Sequence, residues 1–291
     1  MIKREKVQFE ERDMEKRKAV GFIGTGNMGE ALIAGLLKAK FILPDQVMIF
    51  DSDGERLRFI QRKYGVKKAS DNRHLCSQCD PILLCVKPQS MKEVIQEISE
   101  SLDASKLLIS IAAGIPLYGI EAYAQKRLRL IRVMPNIAVL VQEGASAIAP
   151  GNLATDADLK LAKDIFDCVG KSITINESLM DAVTGLSGSG PAYVFLVIEA
   201  LSEAGVHLGM TRNDALMLAT QTVMGSVKLL LETGEHPALL REKVTSPGGT
   251  TAAGLYKLEE GGLRKILIDA VKAAAQRAKE LGEKVKQQGS P

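Results

Sequence analysis

The sequence predicts an α/β fold in its first half and an all-α domain in its second half. Short apolar segments alternate with helically spaced segments between Ala19 and Ile175, and strand patterning disappears from Asp181 onward. Strands that alternate with helices form a doubly wound, mostly parallel sheet, whose binding crevice lies at the carboxyl ends of the strands. A chain of 291 residues is long enough for two such domains, each with an apolar core.

Composition excludes several classes of protein. Apolar residues make up 46% of the chain and charged residues 25%, as in ordinary globular proteins. The 38 Lys and Arg residues are nearly balanced by 35 Asp and Glu and are dispersed, so the chain has no nucleic-acid footprint. It has no apolar run of membrane-spanning length and no apolar stretch typical of a secretory signal near its start. We therefore expect a cytoplasmic protein that does not contact membranes.

The first domain is predicted at residues 18–177, after a charged extension at residues 1–17. The expected strands are Ala19–Ile23, Gln46–Phe50, Ile82–Val86, Leu107–Ile111, Leu130–Val133, Ala145–Ala149 and Ser172–Ile175. The expected helices between them are Glu30–Lys38, Glu55–Tyr64, Ser90–Ser101 and Leu117–Gln125. A further helix begins at the capping-box pattern Thr155-x-x-Asp158, and we expect Gly170 to end it as a C-terminal glycine.

The second domain is predicted at residues 178–285, followed by a flexible tail at residues 286–291. Its expected helices are Pro191–Val206, Thr211–Thr233, Pro237–Lys243 and Gly262–Lys284. Segments such as Tyr193–Ile198 and Ala215–Ala219 are apolar on nearly every face, and such helices must be covered on all sides. A domain of this size has little interior for them, so we predict a dimerisation domain that packs against a second copy of the chain.

A glycine-rich turn, Gly24-Thr25-Gly26-Asn27-Met28-Gly29, stands between the first strand and the first helix. In a Rossmann-type domain, the first glycine of this pattern allows a tight turn, the second lets the backbone approach a pyrophosphate, and the third lets the helix pack on the strand. The helix N-terminus offers free N–H groups to the phosphates. The alternative is a turn that serves only packing, but the strand-turn-helix context favours a nicotinamide dinucleotide site.

Asp51 ends the second predicted strand, near the point where an acidic residue usually hydrogen-bonds the adenosine ribose. A carboxylate at this point repels the 2′-phosphate of NADPH, so Asp51 favours NADH. Two alternatives remain open. Asp51 could simply cap the next turn, and Arg56 and Arg58 are close enough in sequence to receive a phosphate.

Two further strand ends reach the predicted crevice. Lys87 lies between the end of the predicted strand Ile82–Val86 and Pro88. At this position it can contact cofactor oxygens or remain an ordinary solvated charge. Ala112 and Ala113 end the next strand, and their small side chains suit either a flat nicotinamide ring or plain close packing.

A second informative motif, Thr245 to Leu255, is a glycine loop that runs into a helix. Two hydroxyls at the helix start and a row of N–H groups can hold a carboxylate. The alternative is that Thr250 or Thr251 only caps the helix. The segment from Ser187 to Pro191 makes a similar entry to a helix, and there a structural role is favoured.

The four cysteines are expected to be free thiols, because a chain of this length in a reducing compartment needs no disulfide framework. Cys76 and Cys79 stand near His74, which raises the alternative of a zinc site. No second pair of ligands follows in the sequence, so we expect no metal.

The segments FIGTGNMGEAL, LLCVKPQ, SIAAGI, IRVMPN, GLSGSGPAYVF and VTSPGGTTAAGLYKLEEGG closely resemble the pyrroline-5-carboxylate reductase family, from about Ala19 to Leu281. The last segment resembles the family signature and is far more specific than the glycine turn. The charged N-terminal extension departs from the family pattern.

The resemblance implies reduction of 1-pyrroline-5-carboxylate to L-proline with NADH or NADPH, and intertwined homodimers that assemble further. The residues that the resemblance implies to contact the cofactor are Ile23, Gly24, Thr25, Gly26, Asn27, Met28, Asn72, Val86, Lys87, Pro88, Ala112 and Ala113. The glycine pattern and the strand end add Gly29 and Asp51 to this predicted cofactor site. Those implied to hold the substrate carboxylate are Ser246, Gly248, Gly249, Thr250 and Thr251, with Thr251 near the ring nitrogen as the catalytic residue.

Two other functions stay as alternatives. A β-hydroxyacid dehydrogenase has a similar first domain, but that family has a catalytic lysine, the base for alcohol oxidation, four positions after a Gly-Ser-Gly motif. In this chain the residue four positions after Gly190 is Val194, so the lysine is missing. A non-catalytic NAD sensor would have no use for a carboxylate-binding loop.

Overall fold

The computed structural model describes residues 19–289. The predicted extension at residues 1–17 and the last two residues of the predicted tail lie outside the described residues. Residues 19–189 together with 272–289 form one compact unit, and residues 190–271 form another. These divisions differ from the sequence-based boundary between residues 177 and 178, which stays a prediction.

Within its described residues, the first unit contains an eight-stranded sheet, seven complete α-helices and the last part, residues 272–289, of the long C-terminal helix. The strands are β1 (Ala19–Ile23), β2 (Val47–Phe50), β3 (Lys67–Lys68), β4 (Cys79–Leu84), β5 (Leu107–Ser110), β6 (Arg129–Met134), β7 (Gly144–Pro150) and β8 (Gly170–Thr174). The helices are α1 (Asn27–Lys38), α2 (Gly54–Tyr64), α3 (Asn72–Gln78), α4 (Met91–Ile98), α5 (Leu117–Ala124), α6 (Asp156–Asp167) and α7 (Met180–Val183).

The strand order is β3-β2-β1-β4-β5-β6-β7-β8. All neighbours run parallel except β6 and β7, which are antiparallel. The predicted doubly wound, mostly parallel sheet is therefore confirmed. The chain order reverses between β1 and β4, and in such sheets the ligand crevice forms at this switch point, outside the carboxyl ends of the strands.

The central strands are buried on both faces. Phe22 belongs to one apolar cluster, which also contains Leu32 of α1, whereas the next residue, Ile23, belongs to the cluster that contains Ile95 of α4. Successive residues of a strand point to opposite faces, so helices cover both sides of the sheet. This explains why the strands form continuous apolar runs rather than alternating patterns.

Two predictions about local structure need correction. The capping box at Thr155 and Asp158 is confirmed, but Gly170 does not end that helix. Instead α6 ends at Asp167, and Gly170 begins β8 in close contact with β7, where an added Cβ would lie 1.9 Å from the Gly144 carbonyl oxygen. Helix α3, whose N-terminus is capped by the Asp71 side chain, was not among the helices expected from the sequence, although a helix end near His74 and Cys76 was the alternative to a zinc site.

Several predicted boundaries shift by a few residues. The strand predicted at Ile82–Val86 is β4, Cys79–Leu84, and the helix predicted at Ser90–Ser101 is the shorter α4 between two 3₁₀ turns. The strand predicted at Ser172–Ile175 is β8, Gly170–Thr174.

The second unit is helical, as predicted. It contains α8 (Gly190–His207), α9 (Arg212–Thr233), α10 (Pro237–Lys243), α11 (Thr250–Glu260) and the first part of α12 (Leu263–Gly289). Within residues 190–271, the buried side chains are few and small, namely Ser202, Ala215 and Ala219.

Many large apolar side chains of this unit are exposed to solvent in the single chain. Phe195 is 64% exposed, Leu231 65% and Leu208 86%. Exposed apolar patches of this extent mark interaction surfaces. Among the described helices, none is both long and apolar enough to cross a membrane.

Asp158 ties α6 to the sheet through a nearly buried carboxylate. It accepts a hydrogen bond from the Thr155 backbone N–H at 2.8 Å and pairs with the Arg129 guanidinium of β6. Burial alone would raise the pKa of Asp158, but the hydrogen bonds from Arg129 and Thr155 outweigh burial and lower the pKa. The charged form is therefore more stable in the folded chain than in the unfolded chain.

We predict that Asp158→Asn lowers the free energy of unfolding at pH 7 by about 2 kcal/mol, the contribution of hydrogen bonds to a charged group. Because the pKa of Asp158 is lower in the folded chain than in the unfolded chain, its carboxylate stabilises the fold at pH values above the unfolded pKa of about 4. This stabilisation is lost as the pH falls through the folded pKa. The free energy of unfolding, measured in urea between pH 7 and pH 2, should thus fall less steeply with decreasing pH in Asp158→Asn than in wild type.

Asp156→Asn, at an exposed position in the same helix turn, is the matched control. If its free energy of unfolding depended on pH as weakly as that of Asp158→Asn, the role of Asp158 would be contradicted.

Candidate functional site

The glycine turn is held between the two strands that flank β1. Gly24 has a left-handed φ of +94°, and its N–H donates to the Phe50 carbonyl at the end of β2 at 2.8 Å. On the other side, an added Cβ would lie 2.8 Å from the backbone carbon and oxygen of Cys85, after β4. Any other residue at this position would be strained and would also clash with the neighbouring backbone.

Gly26 and Gly29 have different surroundings. An added Cβ on Gly29 would lie 2.5 Å from the Gly24 carbonyl oxygen, so Gly29 allows α1 to start close to the strand. Gly26 is the N-cap of α1 without a side-chain cap, and an added Cβ there would have no atom within 4 Å. Packing therefore accounts for Gly24 and Gly29 but not for Gly26, where the space that a side chain would occupy is open.

Asp51 directly follows β2 and accepts hydrogen bonds from this turn. Its Oδ2 accepts from the backbone N–H of Thr25 at 2.6 Å and from the Thr25 hydroxyl at 2.9 Å. Its Oδ1 accepts from the N–H of Asp53 at 2.9 Å, so Asp51 also caps the turn before α2, as one alternative held. The cap of α2 itself is Asp53, which the sequence analysis missed although an Asp-Gly-Glu pattern marks it.

Arg56, one of the two candidate phosphate ligands, is engaged within the chain. Its Nε donates to the Thr25 carbonyl oxygen at 2.7 Å, and its guanidinium pairs with Glu30 in the first turn of α1. Sequence analysis missed Glu30. The other candidate, Arg58, lies in a surface groove of about 500 Å³ along α2.

The remaining predicted cofactor residues lie at the same edge of the sheet. The strand register pairs Ile23 at the end of β1 with Leu84 in β4, and Leu84 with Ser110 in β5. The segments that follow these strands, residues 85–88 and 111–113, therefore meet beside the glycine turn. Lys87 and Ala113 are exposed there, and Val86 is half-buried.

Asn72 starts α3 and is 5% exposed. Its Nδ2 donates to Glu97 Oε2 at 2.7 Å, but its buried Oδ1 has no hydrogen-bond partner among the described residues. A buried polar oxygen without a donor costs free energy, and a bound ligand that donates a hydrogen bond removes this cost. The orphaned oxygen and the open space at Gly26 fit the predicted dinucleotide.

The second predicted site is a loop in the other unit. Gly249 is the N-cap of α11, again without a side-chain cap, and its N–H donates to the Ser246 carbonyl at 3.0 Å. Gly248 has a left-handed φ of +69°. Thr250 and Thr251 are the first two residues of the helix, so the alternative that one of them caps it is wrong. Within the part of the chain that the structure describes, no side chain accepts a hydrogen bond from their hydroxyls or caps the first N–H groups of α11.

The segment at Ser187 has the structural role that the sequence favoured. Residues Thr184–Gly188 form a π-helical turn, and the Ser187 hydroxyl donates to the Val183 carbonyl at 3.2 Å. An added Cβ on Gly188 would lie 2.7 Å from Met134 Cε, so close packing requires this glycine.

The cysteine and histidine cluster has no metal-site geometry. Burial raises the pKa of both Cys76 and Cys79 to about 12, which disfavours the thiolate that a metal needs. His74 Nδ1 accepts from the Ser70 N–H at 3.2 Å. Between residues 19 and 289, no three His, Cys, Asp or Glu side chains are grouped so as to hold a metal ion, and all four cysteines are free.

The fold and the glycine turn define a Rossmann-type, dinucleotide-binding oxidoreductase class. Comparison with known proteins narrows this class. The family model for pyrroline-5-carboxylate reductase dimerisation matches residues 177–281, and the model for NADP oxidoreductase, coenzyme F420-dependent, matches residues 19–114.

Relatives cover nearly the whole chain. A pyrroline-5-carboxylate reductase of Methanosarcina acetivorans is 48% identical over 93% of this chain and 100% of its own length, and one of Arabidopsis thaliana is 41% identical over 91% and 95%. The structure of the Coxiella burnetii pyrroline-5-carboxylate reductase matches with a TM-score of 0.86 at 38% identity. The Plasmodium falciparum pyrroline carboxylate reductase, solved with NADP bound, matches with 0.82 at 34%. Each of these structures covers 91% of this chain and 98% of its own. The chain belongs to the pyrroline-5-carboxylate reductase family.

The surroundings of Gly24 and Gly26 predict that alanine affects mainly stability at position 24 and mainly cofactor binding at position 26. Gly24→Ala should lower the free energy of unfolding by at least about 2 kcal/mol, because the side chain forces both a left-handed φ and a backbone clash. Gly26→Ala should lower it by no more than about 1 kcal/mol, the difference between Gly and Ala as an N-cap, yet raise the Kd for the dinucleotide at least about tenfold, since the methyl group occupies the open space. Urea unfolding and fluorescence titration measure the two quantities. Unchanged affinity in a folded Gly26→Ala variant would contradict a role in binding.

Proposed function

We propose that this chain reduces 1-pyrroline-5-carboxylate to L-proline with a hydride from NAD(P)H, the last step of proline biosynthesis. The observation that carries the proposal is the loop at residues 246–251, where a helix N-terminus without a side-chain cap stands beside two free hydroxyls in a member of this reductase family. Such a helix N-terminus binds small anions, and the carboxylate of the substrate is one of them. A cofactor sensor would have no use for this loop, and a β-hydroxyacid dehydrogenase would lack its base, because Val194 stands where that family has a lysine.

The cofactor residues are proposed to act through the carboxyl edge of the sheet. The open N–H groups behind Gly26 would take the pyrophosphate, and the segments at Val86–Pro88 and Ala112–Ala113 would line the remaining length of the dinucleotide. Asn72 Oδ1 would accept a hydrogen bond from it. When bound, the reduced nicotinamide supplies the hydride, and the protein supplies binding and orientation.

The substrate residues are proposed to fix a small cyclic imine by its carboxylate. Ser246, Gly248 and Gly249 shape the loop, Thr250 adds a hydroxyl, and Thr251 aligns the ring nitrogen. Protonation of that nitrogen makes the adjacent carbon electrophilic, so the reaction demands little acid or base from the protein. Orientation then accounts for most of the rate enhancement.

NADH is proposed as the preferred cofactor. The Asp51 carboxylate stands at the end of β2, where it would oppose the 2′-phosphate of NADPH. The nearest candidate to receive that phosphate, Arg56, is already paired with Glu30.

The quaternary structure is proposed to be a homodimer through the helical unit that assembles into a larger oligomer. The match to the dimerisation family and the exposed apolar side chains of α8 and α9 support the dimer. A monomeric mass in sedimentation at micromolar concentration would exclude it. The four free thiols suit a reducing compartment, in line with a cytoplasmic location.

The proposal predicts that the purified chain oxidises NADH when 1-pyrroline-5-carboxylate is added, with L-proline as the product. The ratio of kcat/KM for NADH to that for NADPH should exceed one, because of the Asp51 charge. Reactions without the imine provide the control. If neither cofactor is oxidised, the activity is wrong, whereas a clear preference for NADPH would contradict only the assignment of Asp51.

Thr251→Val should lower kcat/KM for the imine about 10- to 100-fold, the effect of losing one hydrogen bond to a charged group. The Kd for the cofactor should stay the same. Thr251→Ser keeps the hydroxyl and should restore most of the activity, which separates hydrogen bonding from the shape of the side chain. Wild-type turnover in Thr251→Val would refute its role.

A further inference from the structure

Glu30 connects α1 to α2 through a carboxylate whose two oxygens are both occupied. Oε1 accepts from Lys63 Nζ at 2.8 Å and from the Tyr64 hydroxyl at 2.9 Å, and Oε2 pairs with the Arg56 guanidinium. Burial acts to raise the pKa of Glu30, but these donors outweigh burial and lower it. The carboxylate is therefore charged at neutral pH and fixed in position.

Arg56 is held from three directions. Glu30 binds the end of its guanidinium, the Thr25 carbonyl oxygen accepts from its Nε at 2.7 Å, and the Phe59 ring centre lies 5.4 Å from its central carbon. Thr25 in turn donates twice to Asp51. Arg56 is thus separated by a single residue from the carboxylate that marks the adenosine ribose position in this fold.

We propose that Glu30 is a positioning residue that sets the cofactor preference, because it withholds Arg56 from the 2′-phosphate of NADPH. In Rossmann-type domains an arginine close to the acidic strand end accommodates this phosphate. Here Arg56 is paired with the Glu30 carboxylate, so its charge is occupied and does not offset the repulsion between Asp51 and a 2′-phosphate. The inference rests on the proposed function and names the residue that determines its cofactor specificity.

Glu30→Gln tests the proposal, since glutamine keeps the size of the side chain but removes the charge that holds Arg56. The ratio of kcat/KM for NADPH to that for NADH should rise at least about tenfold, the effect of one charge-assisted hydrogen bond to a phosphate. Glu100→Gln removes the same charge at an exposed position after α4 and should leave the ratio at its wild-type value. A merely structural role of Glu30 would lower both values of kcat/KM equally.

Arg56→Gln provides the second test. In the otherwise wild-type chain it should keep the ratio within about twofold, because Arg56 does not serve the phosphate there. Combined with Glu30→Gln, it should abolish the gain in NADPH use. If Arg56→Gln alone lowers NADPH use about tenfold and spares NADH, Arg56 already binds the phosphate and the proposal is wrong.

The two levels of the argument fail separately. An active wild type with an unchanged ratio in folded Glu30→Gln overturns the role of Glu30 and leaves the reductase activity standing. An inactive wild type overturns the proposed function, and the Kd values for NADH and NADPH then test Glu30 by themselves. If Glu30→Gln does not fold, Arg56→Gln alone decides, since it carries its own contradicting outcome.

Discussion

The close approach of Gly24 to the backbone after β4 is the constraint on which the first unit's site depends. A residue with a side chain would push β1 and the β4 end apart, because the contact is with backbone atoms that cannot turn away. That contact places the glycine turn at the point where the strand order reverses. It also brings Thr25 within reach of Asp51, so the adjoining strand end fixes the turn from the other side.

The two loops proposed to bind an anion share one structural feature, although they lie in different units. In each, a glycine precedes the helix as its N-cap, Gly26 before α1 and Gly249 before α11, and neither helix has a side-chain cap. A Ser, Thr, Asp or Asn at the N-cap usually stabilises a helix, because its side chain accepts hydrogen bonds from the first N–H groups. Helices α2, α3 and α6 follow that rule, with Asp53, Asp71 and Thr155 as caps. Helices α4, α5 and α7 also lack a side-chain cap, but among the described helices with a printed N-cap only α1 and α11 have a glycine there, and these two follow the predicted ligand loops.

The sequence predicted features that depend on local backbone demands. The glycine turn and the loop at Gly248 could be recognised because left-handed or crowded positions select glycine wherever they occur. Gly170 was misassigned for the same reason, since a glycine required by contact between two strands resembles one that ends a helix. Helix α3 is short and lacks an apolar period, so its pattern gave no signal. The role of Glu30 depends on side chains of α2 that only the packed sheet brings near, and no local pattern encodes such proximity.

The hydrogen bonds of Asp51 have a consequence for the energetics of recognition. Three donors within the chain, two from Thr25 and one from Asp53, hold the loop in a single arrangement. Folding itself therefore supplies the ordering that a mobile loop would undergo on association. Immobilising flexible segments opposes complex formation, so in the proposed complex with a dinucleotide the preorganised loop would let more of the energy of its phosphate contacts appear as affinity.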